Sequence, residues 1–122
     1  LSYGARLREI KLASELLKEK KISCTIVDAR FCKPLDKKLI LELCKHHKLL
    51  VTIEEGSIGG FGSHVLNFLT KQKKAIFQKM ILDTIHLPDY FIDQDTPENM
   101  YKKALMNAKS ISKRVSKLLL EN

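Results

Sequence analysis

Two adjacent carboxylates, four glycines and a histidine crowd into Glu54-Glu55-Gly56-Ser57-Ile58-Gly59-Gly60-Phe61-Gly62-Ser63-His64. A histidine with an acidic partner can shuttle a proton near neutral pH, and Glu54 or Glu55 would supply that partner across the loop. Glycines, lacking a Cβ, let a backbone turn sharply and approach another surface closely. The spacing matches neither G-x-G-x-x-G nor the P-loop pattern, and two carboxylates at the mouth would repel a phosphate. A histidine hydrogen-bonded within a turn is the simpler fate for His64.

The other reactive side chains are scattered. Cys24, Cys32 and Cys44 are odd in number and lack the close pairing of zinc or redox motifs, which fits a reduced intracellular compartment and inert packing. Cys24 falls on an alternating strand pattern and Cys44 on a helix's apolar stripe, where a thiol acts as a small hydrophobe. His46 and His47 close a helix, where positive charge suits the dipole; neighbouring positions point different ways and so make a poor metal pair. Asp28, Arg30 and Lys33 share a loop, and the expectation is a bracing ion pair.

These residues need a scaffold, and the chain alternates strand and helix signals. Leu1 to Tyr3 reads as a strand ending at Gly4, and Leu7, Ile10, Ala13, Leu16 and Leu17 share one helical face. Ile22 to Ala29 reads as a strand, followed by a loop in which Pro34 delays the next helix and Asp36 caps it. Leu39, Ile40, Leu43, Cys44 and His47 recur at helical spacing. Leu49 to Glu54 is a strand, Phe61 to about Gln72 a helix, and Ile81 to His86 a strand.

Lys71 to Lys79 reads as a polar, solvent-facing connector broken by Ala75-Ile76-Phe77. Pro88 to Asp95 is irregular. Thr96-Pro97-Glu98 starts a helix carrying Met100, Ala104 and Leu105, which breaks near Asn107. Ser110 is then expected to cap a last helix with Ile111, Val115, Leu118 and Leu119 on its apolar face.

With 122 residues, the chain fits one domain; 44% apolar and 30% charged residues describe a globular protein rather than a disordered one. No apolar run approaches the roughly 18 residues of a membrane span, and no signal-peptide pattern opens the chain. Leu1 falls inside a strand pattern, which suggests a piece of a longer chain. The net charge of +8 raises nucleic-acid binding, yet the lysines lie on polar helix faces without interleaved aromatic residues, as a solvated surface would have them.

Ser2-Tyr3-Gly4, the run D-A-R-F-C-K-P-L-D from Asp28 to Asp36, E-E-G-S-I-G-G-F-G-S-H-V from Glu54 to Val65, and Leu87 to Pro97 together resemble the carboxyl-terminal domain of 1-deoxy-D-xylulose-5-phosphate synthases. The resemblance spans essentially the whole chain. Other transketolase-like enzymes, such as the β subunits of 2-oxoacid dehydrogenases, are similar only in part, through V-x-x-E-E-G at Val51 to Gly56.

The resemblance implies a three-layer α/β/α fold with a mostly parallel five-stranded mixed sheet and one antiparallel edge strand; four strands are visible, and a fifth would lie around Tyr90 to Ile92. It also implies an enzyme that condenses pyruvate with glyceraldehyde 3-phosphate, losing carbon dioxide, on thiamine diphosphate and magnesium. The family places those groups in the preceding domains, and no G-D-G with a following metal-binding asparagine exists here. Within this chain the resemblance therefore implies no catalytic, cofactor-binding or metal residue.

The implied partners are the preceding catalytic domains and a second copy of the full chain, with no nucleic acid and no membrane. The implied setting is the bacterial cytoplasm, or alternatively a plastid-type organelle. Glu54, Glu55, Gly56, Gly59, Gly60 and His64 are the expected docking surface, because glycines permit close backbone approach.

Where relatives read P-D-R-[FY]-I-[DE]-H-G, this chain carries Tyr90 for arginine and Gln94-Asp95 for His-Gly. An aspartate tolerates the left-handed backbone region better than most residues, which would let Asp95 preserve the turn. A basic nucleic-acid module and a stand-alone small-molecule sensor are the readings from other classes.

Overall fold

The computed structural model describes residues 1–72 and 80–121. Ser2–Tyr3 (β1), Leu49–Glu54 (β2) and Ile81–Ile85 (β3) form a parallel sheet in the order β1-β2-β3, with Ser2 opposite Ile53 and Leu49 opposite Ile81. Parallel strands need crossovers. Leu7–Glu19 (α1) and Lys37–His46 (α2) make the first, and Phe61–Thr70 (α3) lies within the second; Pro97–Lys103 (α4) and Ala108–Leu120 (α5) complete the chain.

Two apolar clusters sandwich the sheet. On one side Ile10, Ala13 and Leu17 of α1 meet Ile111 and Val115 of α5 over Ile53 and Ile85; on the other Ile40 and Cys44 of α2 meet Phe61, Val65 and Leu69 of α3 over Leu50. A strand covered on both faces is apolar throughout rather than alternating, as Leu-Leu-Val-Thr-Ile is. The α/β class and the layered arrangement expected from sequence are present.

Several elements differ from expectation. Ile22 to Ala29 forms no strand: Ser2 N–H donates to Val27 O at 2.7 Å and Ala29 N–H to Ser2 O at 2.8 Å, leaving a single bridge at Asp28. β1 offers only Ser2 on that side, so no ladder extends back along Ser23 to Ile26. Tyr90 to Ile92 is also not a strand; Tyr90 instead donates its hydroxyl to Lys103 O at 3.0 Å, drawing the segment onto α4. The described residues therefore hold three parallel strands, not five strands with an antiparallel edge.

Capping follows sequence with one shift. Asp36 accepts from Leu39 N–H at 3.0 Å and Thr96 from Asn99 N–H at 3.4 Å, with Pro97 at the first helical position. Asn107, not Ser110, caps α5, accepting from Ser110 N–H at 3.0 Å: an asparagine in extended backbone just before the helix reaches the free amides directly. Asp95 does not take a left-handed conformation; its carboxylate accepts from Thr96 N–H, Asn99 Nδ2 and Lys103 Nζ and ties down the start of α4. Those hydrogen bonds, with Asn99 foremost, favour the carboxylate and hold its pKa down to about 2. The expected connector break at Ala75-Ile76-Phe77 lies outside the described residues.

Candidate functional site

Because the strands are parallel, the loops that leave their carboxyl ends share one edge of the sheet, the customary place for a site in an open α/β layer. Gly4 to Arg6 follows β1, Glu55 to Gly60 follows β2, and His86 to Asp95 follows β3. Leu87 N–H donates to Gly56 O at 2.9 Å and ties the last two together.

The two carboxylates at the head of the glycine loop have opposite fates. Glu54 is 5% exposed, and its side chain accepts from Phe61 N–H at 2.9 Å and Gly62 N–H at 2.8 Å. Gly60, the residue preceding α3, has no side chain to cap with, so the end of β2 provides the cap, and a negative group there also suits the helix dipole. This explains part of the glycine pattern. A Cβ on Gly56 would lie 2.8 Å from Glu54 Oε2, one on Gly60 would collide with the same carboxylate, and one on Gly62 would lie 2.7 Å from Thr52 Oγ1. The loop wraps the carboxylate, and only glycine leaves room. Gly59 serves otherwise, with φ at 101°.

Glu55 faces the rim. Arg6 Nε lies 2.6 Å from its Oε1, off the line of a hydrogen bond, so the pairing is chiefly Coulombic. The Arg6 guanidinium also sits 3.5 Å above the Tyr101 ring, a cation–π contact. The Tyr101 hydroxyl is hydrogen-bonded to Glu55, which raises its pKa above the usual tyrosine value, with desolvation adding to it. A phenol held protonated beside a paired carboxylate is a brace, not a base.

Glu55 and Tyr101 form one wall of an apolar cleft of about 560 Å³ completed by Leu87, Tyr90, Phe91 and Met100 among others. Phe91, 92% exposed, and Tyr90, 60% exposed, line it, while Ile58 at 71% and Phe31 at 66% present apolar side chains to solvent elsewhere on the loops. Loop tips normally carry small polar residues, so apolar tips on one edge stand out.

Among the sequence-designated residues, the structure gathers Glu54, Gly56 and Gly60 into the buried cap and leaves Glu55 and Gly59 towards the surface. His64 is half-buried on the first turn of α3, and among the described residues neither glutamate side chain bonds to its ring. The proton-shuttling pair is therefore not formed. Glu54 points inward, onto the amides of α3.

Sequence reasoning missed Arg6 and Tyr101. Arg6 was discoverable, lying just past the end of the strand next to β2; Tyr101 arrives through tertiary packing alone.

Elsewhere the expected chemistry resolves into packing. His46 Nε2 meets Glu42 Oε1 at 2.9 Å, while His47 spans Leu43 O and Thr25 Oγ1. Among the described residues no group of acidic, histidine or cysteine side chains is arranged to hold a metal. Asp28 braces its loop by accepting from Arg30 N–H at 3.2 Å, the backbone amide taking the place of the expected ion pair. Cys44 is buried, and desolvation raises its pKa; Cys24 is raised for the same reason but exposed, against the expectation of a packed position. Its segment lacks strand neighbours to cover it.

A diphosphate does not fit the glycine loop. Its natural cradle would be the α3 amides, and Glu54 already occupies those of Phe61 and Gly62. No helix among the described residues is long and apolar enough to cross a membrane. Residues 1–111 match the family described as Transketolase, C-terminal domain.

Proposed function

The chain belongs to the transketolase C-terminal domain family, and from that premise we propose that it is the assembly domain of a thiamine-diphosphate enzyme of the 1-deoxy-D-xylulose-5-phosphate synthase type. The observation that carries the docking role is the crown of exposed apolar side chains, Phe31, Ile58, Tyr90 and Phe91, on loops at the carboxyl edge of the sheet. Covering such residues is favourable in proportion to the apolar area removed from water, at about 25 cal/mol per Å². The fixed Arg6-Glu55-Tyr101 brace beneath them holds the loops in one shape, so little ordering entropy is lost on contact.

In this reading the chain is a piece of a longer protein, and the crown packs against the preceding pyrimidine-binding domain and supports the homodimer. Glu55, Gly59 and His64 lie within or beside the contact. Thiamine diphosphate and magnesium are held by the preceding domains, and this domain alone does not turn over pyruvate. The sheet of the complete domain is five-stranded and mixed, with an antiparallel edge. The motifs from Asp28 to Asp36 and from Glu54 to Val65 support the synthase type over a 2-oxoacid dehydrogenase β subunit. The setting is the bacterial cytoplasm or a plastid-type organelle, and no role for nucleic acid or membrane is invoked.

The test is the double replacement Ile58→Ser with Phe91→Ser in the full-length enzyme. The expected result is easier dimer dissociation and a lower Tm, with the isolated domain's Tm unchanged. Equal dissociation and equal melting in both full-length proteins would contradict the docking role.

A further inference from the structure

The apolar cleft of about 560 Å³ beside Glu55 lies within the roughly 300–1,000 Å³ span of sites that hold a discrete guest. Leu87, Tyr90, Phe91 and Met100 supply apolar wall. Glu55, the carboxylate in its lining, is already taken by Arg6 at 2.6 Å and by the Tyr101 hydroxyl. The interior therefore offers no free charge, and a guest gains there by burying apolar surface.

The rim has a different character. From Leu87 to Tyr101 the chain carries Asp89, Asp93, Asp95 and Glu98 and neither lysine nor arginine, although the whole protein stands at +8. Asp95 is tied to Lys103 and to the start of α4. The other three are exposed, and each adjoins a lining residue in sequence: Asp89 follows Pro88, Asp93 follows Ile92 and Glu98 follows Pro97. Among the described residues none of these three is in an ion pair. The first turn of a helix suits Glu98 through the dipole, but Asp89 and Asp93 lie in irregular chain without that reason.

We propose, resting on the docking role above, that this cleft receives an apolar side chain flanked by lysine or arginine from a segment of the preceding domains. Apolar walls select the anchor, and the free carboxylates select the sign of its neighbours. The two parts divide the work: a buried anchor supplies most of the affinity, while charges at the rim set orientation and salt dependence. A phosphate backbone or an anionic lipid surface is repelled by the same carboxylates.

The test uses two variants of the full-length enzyme, Met100→Trp to fill the cleft and the triple Asp89→Asn, Asp93→Asn, Glu98→Gln to discharge the rim. Met100→Trp is expected to raise the dimer dissociation constant about tenfold or more while the isolated chain keeps its Tm. The triple variant is expected to raise it about threefold or more at about 0.1 M salt, and that difference is expected to vanish at about 1 M, where the screening length is only roughly 3 Å. Should tryptophan lower the isolated chain's Tm, the triple variant, which alters exposed groups alone, decides.

An unchanged or tighter dimer in the triple variant at the lower salt would overturn the proposal. If the Ile58→Ser with Phe91→Ser protein still dissociates more easily, the docking role stands without the basic guest. If that protein also keeps its dimer, both fall.

Discussion

The two ends of β2 handle polar groups in opposite ways. At the carboxyl end three carboxylates have counterparts: Glu54 the amides of α3, Glu55 Arg6 and Tyr101, and Asp95 the start of α4. At the amino end, Leu49 and Val51 lie opposite Ile81 and Asp83 of β3, and both line a cavity of about 330 Å³. The lesson is that the conspicuous motif marks the finished end of the molecule, where the motif's carboxylates are taken up by the fold. The unremarkable sequence of Ile22 to Val27 lines the cavity at the other end.

The largest effect that sharpens this contrast is expected from Glu54→Ala. Two buried amides would lose their acceptor, at about 3 kcal/mol in total, read as a shift in the urea midpoint at constant slope. A loss under roughly 0.5 kcal/mol would mean that the loop refolds around water and that the finished end is not finished.

At the open end the probe is pH. In the isolated chain, burial pushes the Leu1 amine from 8.0 down to about 6. Between those values the unfolded chain holds a proton that the folded chain lacks, so stability is expected to rise with pH from 6 to 8, by roughly 2–3 kcal/mol. Below 6 the full penalty of the buried cation applies, and above 8 it is gone. Urea titrations across this window check it, and Nα-acetylation is expected to flatten that rise. A flat profile in the unmodified isolated chain would show that the amine is solvated.

Much of this was legible in sequence for physical reasons. Apolar residues recurring at helical spacing placed α1, α2, α3 and α5, and side-chain chemistry placed the caps at Asp36 and Thr96. Gly59 and Gly60 marked the turn into α3. Other features depend on distant partners. Ile22 to Ala29 has the composition of a strand, but ladder bonds need a neighbour, and β1 offers one residue. The glycines read as a surface for another molecule, and sequence does not reveal that Glu54 is the close neighbour of Gly56 and Gly60. Tyr90 and Asp95 read as departures from the relatives' pattern, whereas one donates to Lys103 O and the other ties down the start of α4.

The central claim is that the carboxyl edge of the sheet is an assembly surface, and hydrogen exchange compared between the isolated chain and the full-length protein tests it most directly. The account predicts that amides of Ile58, Tyr90 and Phe91 exchange markedly more slowly in the full-length dimer while the Phe61 and Gly62 amides, already held by Glu54, change little. Unchanged exchange at all three loop positions in the assembled protein would contradict it.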